Sequence, residues 1–245
     1  MSFREAKRFG ERNKDKLRCL VPEGVSYSGR GVVARSPVTY TTADLAACLR
    51  TPDEYFLGRG YRPETLAAFG VGTCVRRLPD GKDLLGWSVV PVTDGQVGGP
   101  QHVVGYTARN PRWYKGCSGY KWFHAVERSR YLFNGNTTFL GTEPLFICEG
   151  PGDVMRFYEA GYKRAVAVLG SSLAEGQNWQ LQGLVSIHRK IYIAADADEA
   201  GRKFALQVRE SIQHILIDEP KIIHPIGDAK DFGDMSADQI REMTL

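Results

Sequence analysis

Residues 141–245 predict an α/β fold built on a parallel sheet, and three observations carry that reading. Short apolar runs over 145–149, 164–169, 190–195 and 221–224 alternate with helical patterns over 151–161, 175–184 and 199–214. Each run is short enough for a buried strand. The links are short, as strand–helix alternation in a parallel sheet requires. Two of the runs end in carboxylates and glycine: Leu145-Phe146-Ile147-Cys148-Glu149-Gly150 and Ile191-Tyr192-Ile193-Ala194-Ala195-Asp196-Ala197-Asp198.

Upstream the pattern differs. Residues 1–20 read as a basic helix with Arg4, Lys7, Arg8, Arg12, Lys14, Lys16 and Arg18, either a solvated arm or a nucleic-acid contact. Residues 21–40 read as a loop-rich connector. Thr41-Thr42-Ala43-Asp44 starts a helix expected to run through Leu45 and Leu49 towards Arg50, and Pro63 opens another. From 71 to 110, turns at Pro79–Lys82 and Asp94-Gly95 separate strands over 86–92 and 102–108, predicting a small antiparallel sheet. Residues 111–135 are aromatic and basic. The expected organisation is a basic helix and connector over 1–40, an α+β subdomain over 41–140 and the parallel-sheet domain over 141–245.

Composition is that of a globular protein, 42% apolar and 24% charged. No apolar run reaches the roughly 18 residues of a membrane span, and no secretory signal opens the chain, so a cytoplasmic location is expected. The five cysteines form no CxxC pair, and Cys148 reads as a small buried hydrophobe. The five histidines show no metal-like spacing. Net charge is +4, but residues 1–140 hold 21 Lys/Arg against 12 Asp/Glu, and residues 141–245 hold 11 against 16. A basic half beside an acidic half suits a polyanion on one and metal ions on the other.

Carboxylates at the ends of adjacent parallel strands converge in the crevice where open α/β sheets place ligands. Oxygen-only ligands suit Mg²⁺ or Mn²⁺, and hence phosphoryl transfer. Asp196 and Asp198 project to one side of an extended segment. On spacing alone they equally read as a cap for the following helix. Asp153, one turn after Glu149, has the same ordinary reason to sit in a first helical turn.

Glu149-Gly150-Pro151-Gly152-Asp153-Val154 resembles the first motif of Toprim domains. Val166-Ala167-Val168-Leu169-Gly170-Ser171-Ser172 resembles their middle strand and glycine turn. Asp196-Ala197-Asp198-Glu199-Ala200-Gly201-Arg202-Lys203 is similar to the DxD–AGRK motif of primases. Asp228-Ala229-Lys230-Asp231-Phe232-Gly233-Asp234 resembles their closing segment. Upstream, Gly58-Arg59-Gly60, Glu64-Thr65 and Phe69-Gly70-Val71-Gly72 resemble the N-terminal part of the primase core, and Gly119-Tyr120-Lys121-Trp122-Phe123 approximates its lysine-rich strand.

The resemblance implies a Toprim sheet sandwiched by helices behind a smaller mixed α/β subdomain. It implies a primase-like nucleotidyltransferase making short RNA primers on single-stranded DNA from nucleoside triphosphates with Mg²⁺ or Mn²⁺. A separate replicative helicase is an implied partner. Glu149, Asp196 and Asp198 are the implied catalytic residues. Glu149, Asp153, Asp196, Asp198, Asp231 and Asp234 are the implied metal ligands. Arg59, Arg109, Lys121, Arg202, Lys203 and Lys230 are candidates for nucleotide or template, with Trp113, Tyr120 and Trp122 as stacking surfaces or core. No Cys/His zinc module and no helicase domain is recognisable, so template selection is expected to differ from that of complete primases. The same site read differently is a Toprim nuclease, and a non-catalytic nucleic-acid-binding accessory protein is the third reading. Without an ATPase or tyrosine-bearing cleavage domain, a type II topoisomerase-like role is not expected.

Overall fold

The computed structural model describes residues 41–94, 102–114, 120–135, 143–187 and 190–244. The expected basic helix and connector over 1–40 lie outside the described residues, as do Cys19, Gly95, Lys115, Cys117 and His188.

Two sheets make the fold. The first is antiparallel throughout, in the order β1 (Leu49–Arg50), β2 (Gly72–Cys74), β3 (Ser88–Asp94), β4 (His102–Arg109), β5 (Trp122–His124). Three short helices accompany it: α1 (Thr42–Ala46), α2 (Glu54–Gly58) and α3 (Pro63–Ala68). α1 is fixed by a capping box in which Asp44 N–H donates to Thr41 Oγ1 and Thr41 N–H to Asp44 Oδ2, each at 3.1 Å. It stops at Ala46, short of the expected Arg50. Leu49 and Arg50 pair with Cys74 and Thr73 instead, and Pro52 biases the residue before it away from helix. α2 was not expected. The buried Asp53 caps it, accepting from Phe56 N–H at 2.9 Å while its other oxygen accepts from Thr73 Oγ1 at 2.8 Å.

The second sheet is parallel, in the order β7 (Ala165–Ala167), β6 (Leu145–Cys148), β8 (Ile191–Ala194), β9 (Lys221–Ile223). β6 is buried along its whole length, as a central strand covered on both faces must be. Leu145 and Ile147 face one side, where Leu181, Leu184 and Val185 of α5 (Glu175–Val185) pack with Phe204, Val208 and Ile212 of α6 (Glu199–Ile212). Phe146 and Cys148 face the other, against Val154 and Phe157 of α4 (Pro151–Glu159) and Ile240 of α7 (Ala237–Thr244), a helix the sequence reading did not include.

This second core also contains Phe56, Tyr61, Val90, Val92 and Val104, so the two sheets share one hydrophobic interior. A buried polar joint reinforces it. Arg156 of α4 donates to the carbonyls of Arg59, Gly60 and Gly233 and pairs with Glu159, while its guanidinium lies 4.0 Å from the Tyr61 ring centroid. Glu159 in turn accepts from Arg62 N–H at 2.6 Å.

Candidate active site

Two strand-ending turns meet at the carboxyl edge of the parallel sheet. After β6 the chain turns at Gly150 into α4, which opens on Pro151. Glu149 stands in the turn, and its carbonyl accepts from Gly170 N–H, tying it to the turn after β7. After β8 the chain turns at Asp196, whose backbone N–H donates to Glu149 Oε1 at 3.3 Å. Asp198 caps α6, accepting from Gly201 N–H at 2.8 Å. Thus the capping reading and the proximity of Asp198 to the acidic pair both hold. Asp231 and the one-turn 3₁₀ helix Phe232–Asp234 close the third side.

The cost of this crowding is visible in the ionisation of the carboxylates. Burial pushes the Glu149 pKa up to about 7, with Asp153, Asp198 and Asp231 adding to the rise against the relief of its hydrogen bond to Asp196. Burial likewise pushes Asp196 up to about 7, with Glu149, Asp231 and Asp198 adding and Lys121 opposing. Asp153, fully enclosed, is raised by burial and by Asp231 and Asp196. Asp153 does structural work with both oxygens: one accepts from Gly150 N–H and the other from Gly233 N–H, each at 3.1 Å. Asp153 thereby pins the first acidic turn to the 3₁₀ turn.

Glu149, Asp153, Asp196 and Asp231 line one cleft of about 230 Å³ together with Arg59, Thr107, Lys121, Trp122, His124, Arg128, Gly170 and Ser171. Its acidic wall comes from the parallel sheet, and Lys121 and His124 stand on the end of the antiparallel one. His124 shares a 2.9 Å hydrogen bond with Thr107 Oγ1 and stacks on Trp122. Burial, with Arg128 nearby, lowers its pKa to about 4, so the ring is neutral at physiological pH. Arg128 donates to the carbonyl of Leu169 at 3.1 Å. Leu169 is a non-glycine residue at φ 62°, strained backbone of the kind that binding sites hold in place.

Several expected basic contacts are placed elsewhere. Arg109 is buried, donates to Tyr55 Oη and to the carbonyls of Asn110 and Lys121, and lies between the rings of Tyr55, Trp113 and Trp122. Trp113 and Trp122 are thereby part of its cage, whereas Tyr120 is 75% exposed. Arg202 and Lys203 pair with Glu199 on the exposed face of α6. Lys230 is exposed, and its carbonyl accepts from Ala197 N–H beside the second acidic turn. Arg59 lines the cleft with its guanidinium paired to Asp231 and Asp234. His124, Thr107 and Arg128 escaped the sequence reading because no spacing marks them; the antiparallel pairing of β4 and β5 sets Thr107 beside His124, and Arg128, past the end of β5, is held by the Leu169 carbonyl.

Residues 143–220 match the Toprim domain family model. That stretch of the chain is similar to a Toprim domain. Its relatives by sequence are DNA primases. The one from Chlamydia pneumoniae is 28% identical over 120 residues, 46% of this chain and 20% of that protein. The one from Campylobacter jejuni is 36% identical over 76 residues, 31% of this chain and 12% of that protein. These matches therefore span a fifth or less of the relatives' own length. The fold matches the RNA polymerase domain of Mycobacterium tuberculosis primase, solved with a double-stranded DNA oligomer carrying a 6-nucleotide overhang. The TM-score is 0.62 at 18% identity, over 83% of this chain and 76% of that one.

A divalent ion fits this cleft on the donor set present. Asp196 Oδ1 is buried with no hydrogen-bond partner, and Glu149 and Asp196 are paired with no arginine or lysine among the described ion pairs. Among the described residues no three acidic, histidine or cysteine side chains form a closed ligand set. Mg²⁺ is commonly held by one or two carboxylates, with water and phosphate completing its shell.

Proposed function

We propose that this protein is a primase-like nucleotidyltransferase that joins ribonucleotides on a single-stranded DNA template. The observation that carries the reading is the Asp196 N–H to Glu149 Oε1 contact, which brings carboxylates 47 residues apart in sequence to one cleft. Glu149 and Asp196 would hold a Mg²⁺ or Mn²⁺ ion, with Asp198 reaching it through water. Such an ion, when bound, would activate the attacking oxygen and neutralise charge on the phosphates.

The chain's own residues do the rest. Lys121, facing Asp196 across the cleft, attracts triphosphate or template phosphate, and Arg109 holds the Lys121 carbonyl in place. Neutral His124 offers a hydrogen-bonding edge rather than a charge. Tyr120, exposed and next in sequence to Lys121, offers a ring on which an unpaired base would stack. The primase fold bound to DNA supports this choice of partner. A separate replicative helicase, and action in the cytoplasm, follow from the same reading.

The test is to incubate purified protein with labelled nucleoside triphosphates, single-stranded DNA and Mn²⁺ or Mg²⁺. Template-dependent oligomers, abolished in Glu149→Gln and Asp196→Asn, are the expected result. Shortening of the supplied strand without synthesis would assign the same site to a nuclease. Binding without either reaction would assign it to an accessory protein.

A further inference from the structure

The six acidic residues expected to bind metal differ in whether a basic side chain already pairs with them. Arg59, from the loop after α2, donates to Asp231 Oδ1 at 3.0 Å and to Asp234 Oδ1. Its backbone carbonyl is held at 3.0 Å by Arg156, so the guanidinium is delivered from an anchored main chain. Burial opposes its charge, but Tyr61, Asp231 and Asp234 hold the pKa above the ordinary guanidinium value. The approach is tight: a Cβ on Gly233 would stand 3.2 Å from Arg59 Nη2 and 3.0 Å from Asp231 Oδ1. In the same cleft, Glu149 and Asp196 have no such partner among the described residues, where Asp196 Oδ1 is buried and without a hydrogen bond. One arm of the acidic cleft is therefore partly neutralised within the protein, by one guanidinium shared between two carboxylates, and the other is not.

We infer that Arg59 is a positioning residue that serves as a built-in cation for the Asp231–Asp234 arm, so that this cleft holds one tightly bound divalent ion, at Glu149 and Asp196, rather than two. The inference rests on the reading of the cleft as a divalent-ion site and is independent of whether that site synthesises or cuts. A fixed guanidinium supplies on that arm part of the positive charge a second ion would bring and occupies the carboxylate oxygens it would need, without depending on ion concentration. It also keeps Asp231 from adding its full negative charge to the Glu149–Asp196 pair, since an opposite unit charge at hydrogen-bond distance offsets it.

Mn²⁺ titration of the full chain, read by the free-ion electron paramagnetic resonance signal, tests this without any enzyme turnover. Wild type is expected to bind one ion tightly. Arg59→Gln is expected to gain a second, with its apparent affinity raised about tenfold or more by removal of the competing charge. A misfolded variant would lose sites rather than gain one. Asp234→Asn, which relieves the arm instead of exposing it, is expected to keep one ion within about threefold of wild-type affinity. An unchanged single site in folded Arg59→Gln, or loss of the tight ion in Asp234→Asn, would overturn the inference about Arg59 alone. Two tight ions in wild type would overturn it as well. No binding in any variant would remove the metal site itself, and the proposed function with it.

Discussion

Gly201, in the first turn of α6, lies so close to Asp196 that a Cβ there would fall 2.2 Å from the Asp196 carbonyl oxygen. The helix that Asp198 caps is pressed against the acidic turn, and only a residue without a side chain permits the contact. Alanine in place of a helical glycine ordinarily gains about 1 kcal/mol from propensity. Gly201→Ala is expected to do the reverse, lowering the thermal midpoint and weakening Mn²⁺ binding together. Differential scanning calorimetry beside a metal titration reads both, and a more stable variant with unchanged binding would contradict the packing argument.

Proton linkage gives the second prediction. Glu149 and Asp196 stand at about 7, against ordinary values of 4.5 and 3.8. Between those limits the folded, metal-free protein holds protons that the unfolded chain has released, so its stability falls as pH rises through the window. A divalent ion displaces those protons. Calorimetric titration in buffers of different ionisation enthalpy should show release of on the order of one to two protons at pH 6, and close to none at pH 8.5. Metal affinity should rise across the same interval, and pH-independent binding would count against these two ligands.

Arg156 supports a third. Its pair with Glu159 is enclosed, with side chains 5% and 1% exposed, and its other donors hold three carbonyls at the junction of the two sheets. Arg156→Gln leaves Glu159 a buried charge with one partner fewer, and the expected loss is about 3–5 kcal/mol in urea unfolding. Loss below about 1 kcal/mol would mean that the junction does not depend on this pair.

A fourth concerns the basic wall. Lys121→Ala should weaken single-stranded DNA or nucleotide binding with the thermal midpoint nearly unchanged, because the side chain is exposed. Arg109→Lys should do the opposite first, lowering the midpoint, because lysine cannot fill a cage of three aromatic rings or reproduce the fork of donors to Tyr55, Asn110 and Lys121. Equal effects from the two substitutions on binding alone would put Arg109 at the ligand after all.

The contrast between Lys121 and Arg109 shows where the amino-acid sequence is readable. Runs such as Leu145–Cys148 and Ile191–Ala194 announce a buried parallel sheet because local composition and burial on both faces agree. Their carboxylate endings announce the crevice, since sheet geometry brings neighbouring strand ends together. Charge alone does not say where an arginine points. Arg109 turns into aromatic rings, and Arg59 meets Asp231 across 172 residues of sequence, a contact created only when the two sheets pack. The same applies to His124, carried to the cleft by strand pairing, and to α1, cut short by a two-residue ladder with β2 that no helical pattern foretells.

Whether Glu149 and Asp196 jointly hold a divalent cation is tested most directly by anomalous diffraction from a crystal soaked in Mn²⁺. A peak is expected within coordination distance of Glu149 and Asp196, on the side open to Lys121. A peak elsewhere, or none at a Mn²⁺ concentration that supports activity, would contradict it.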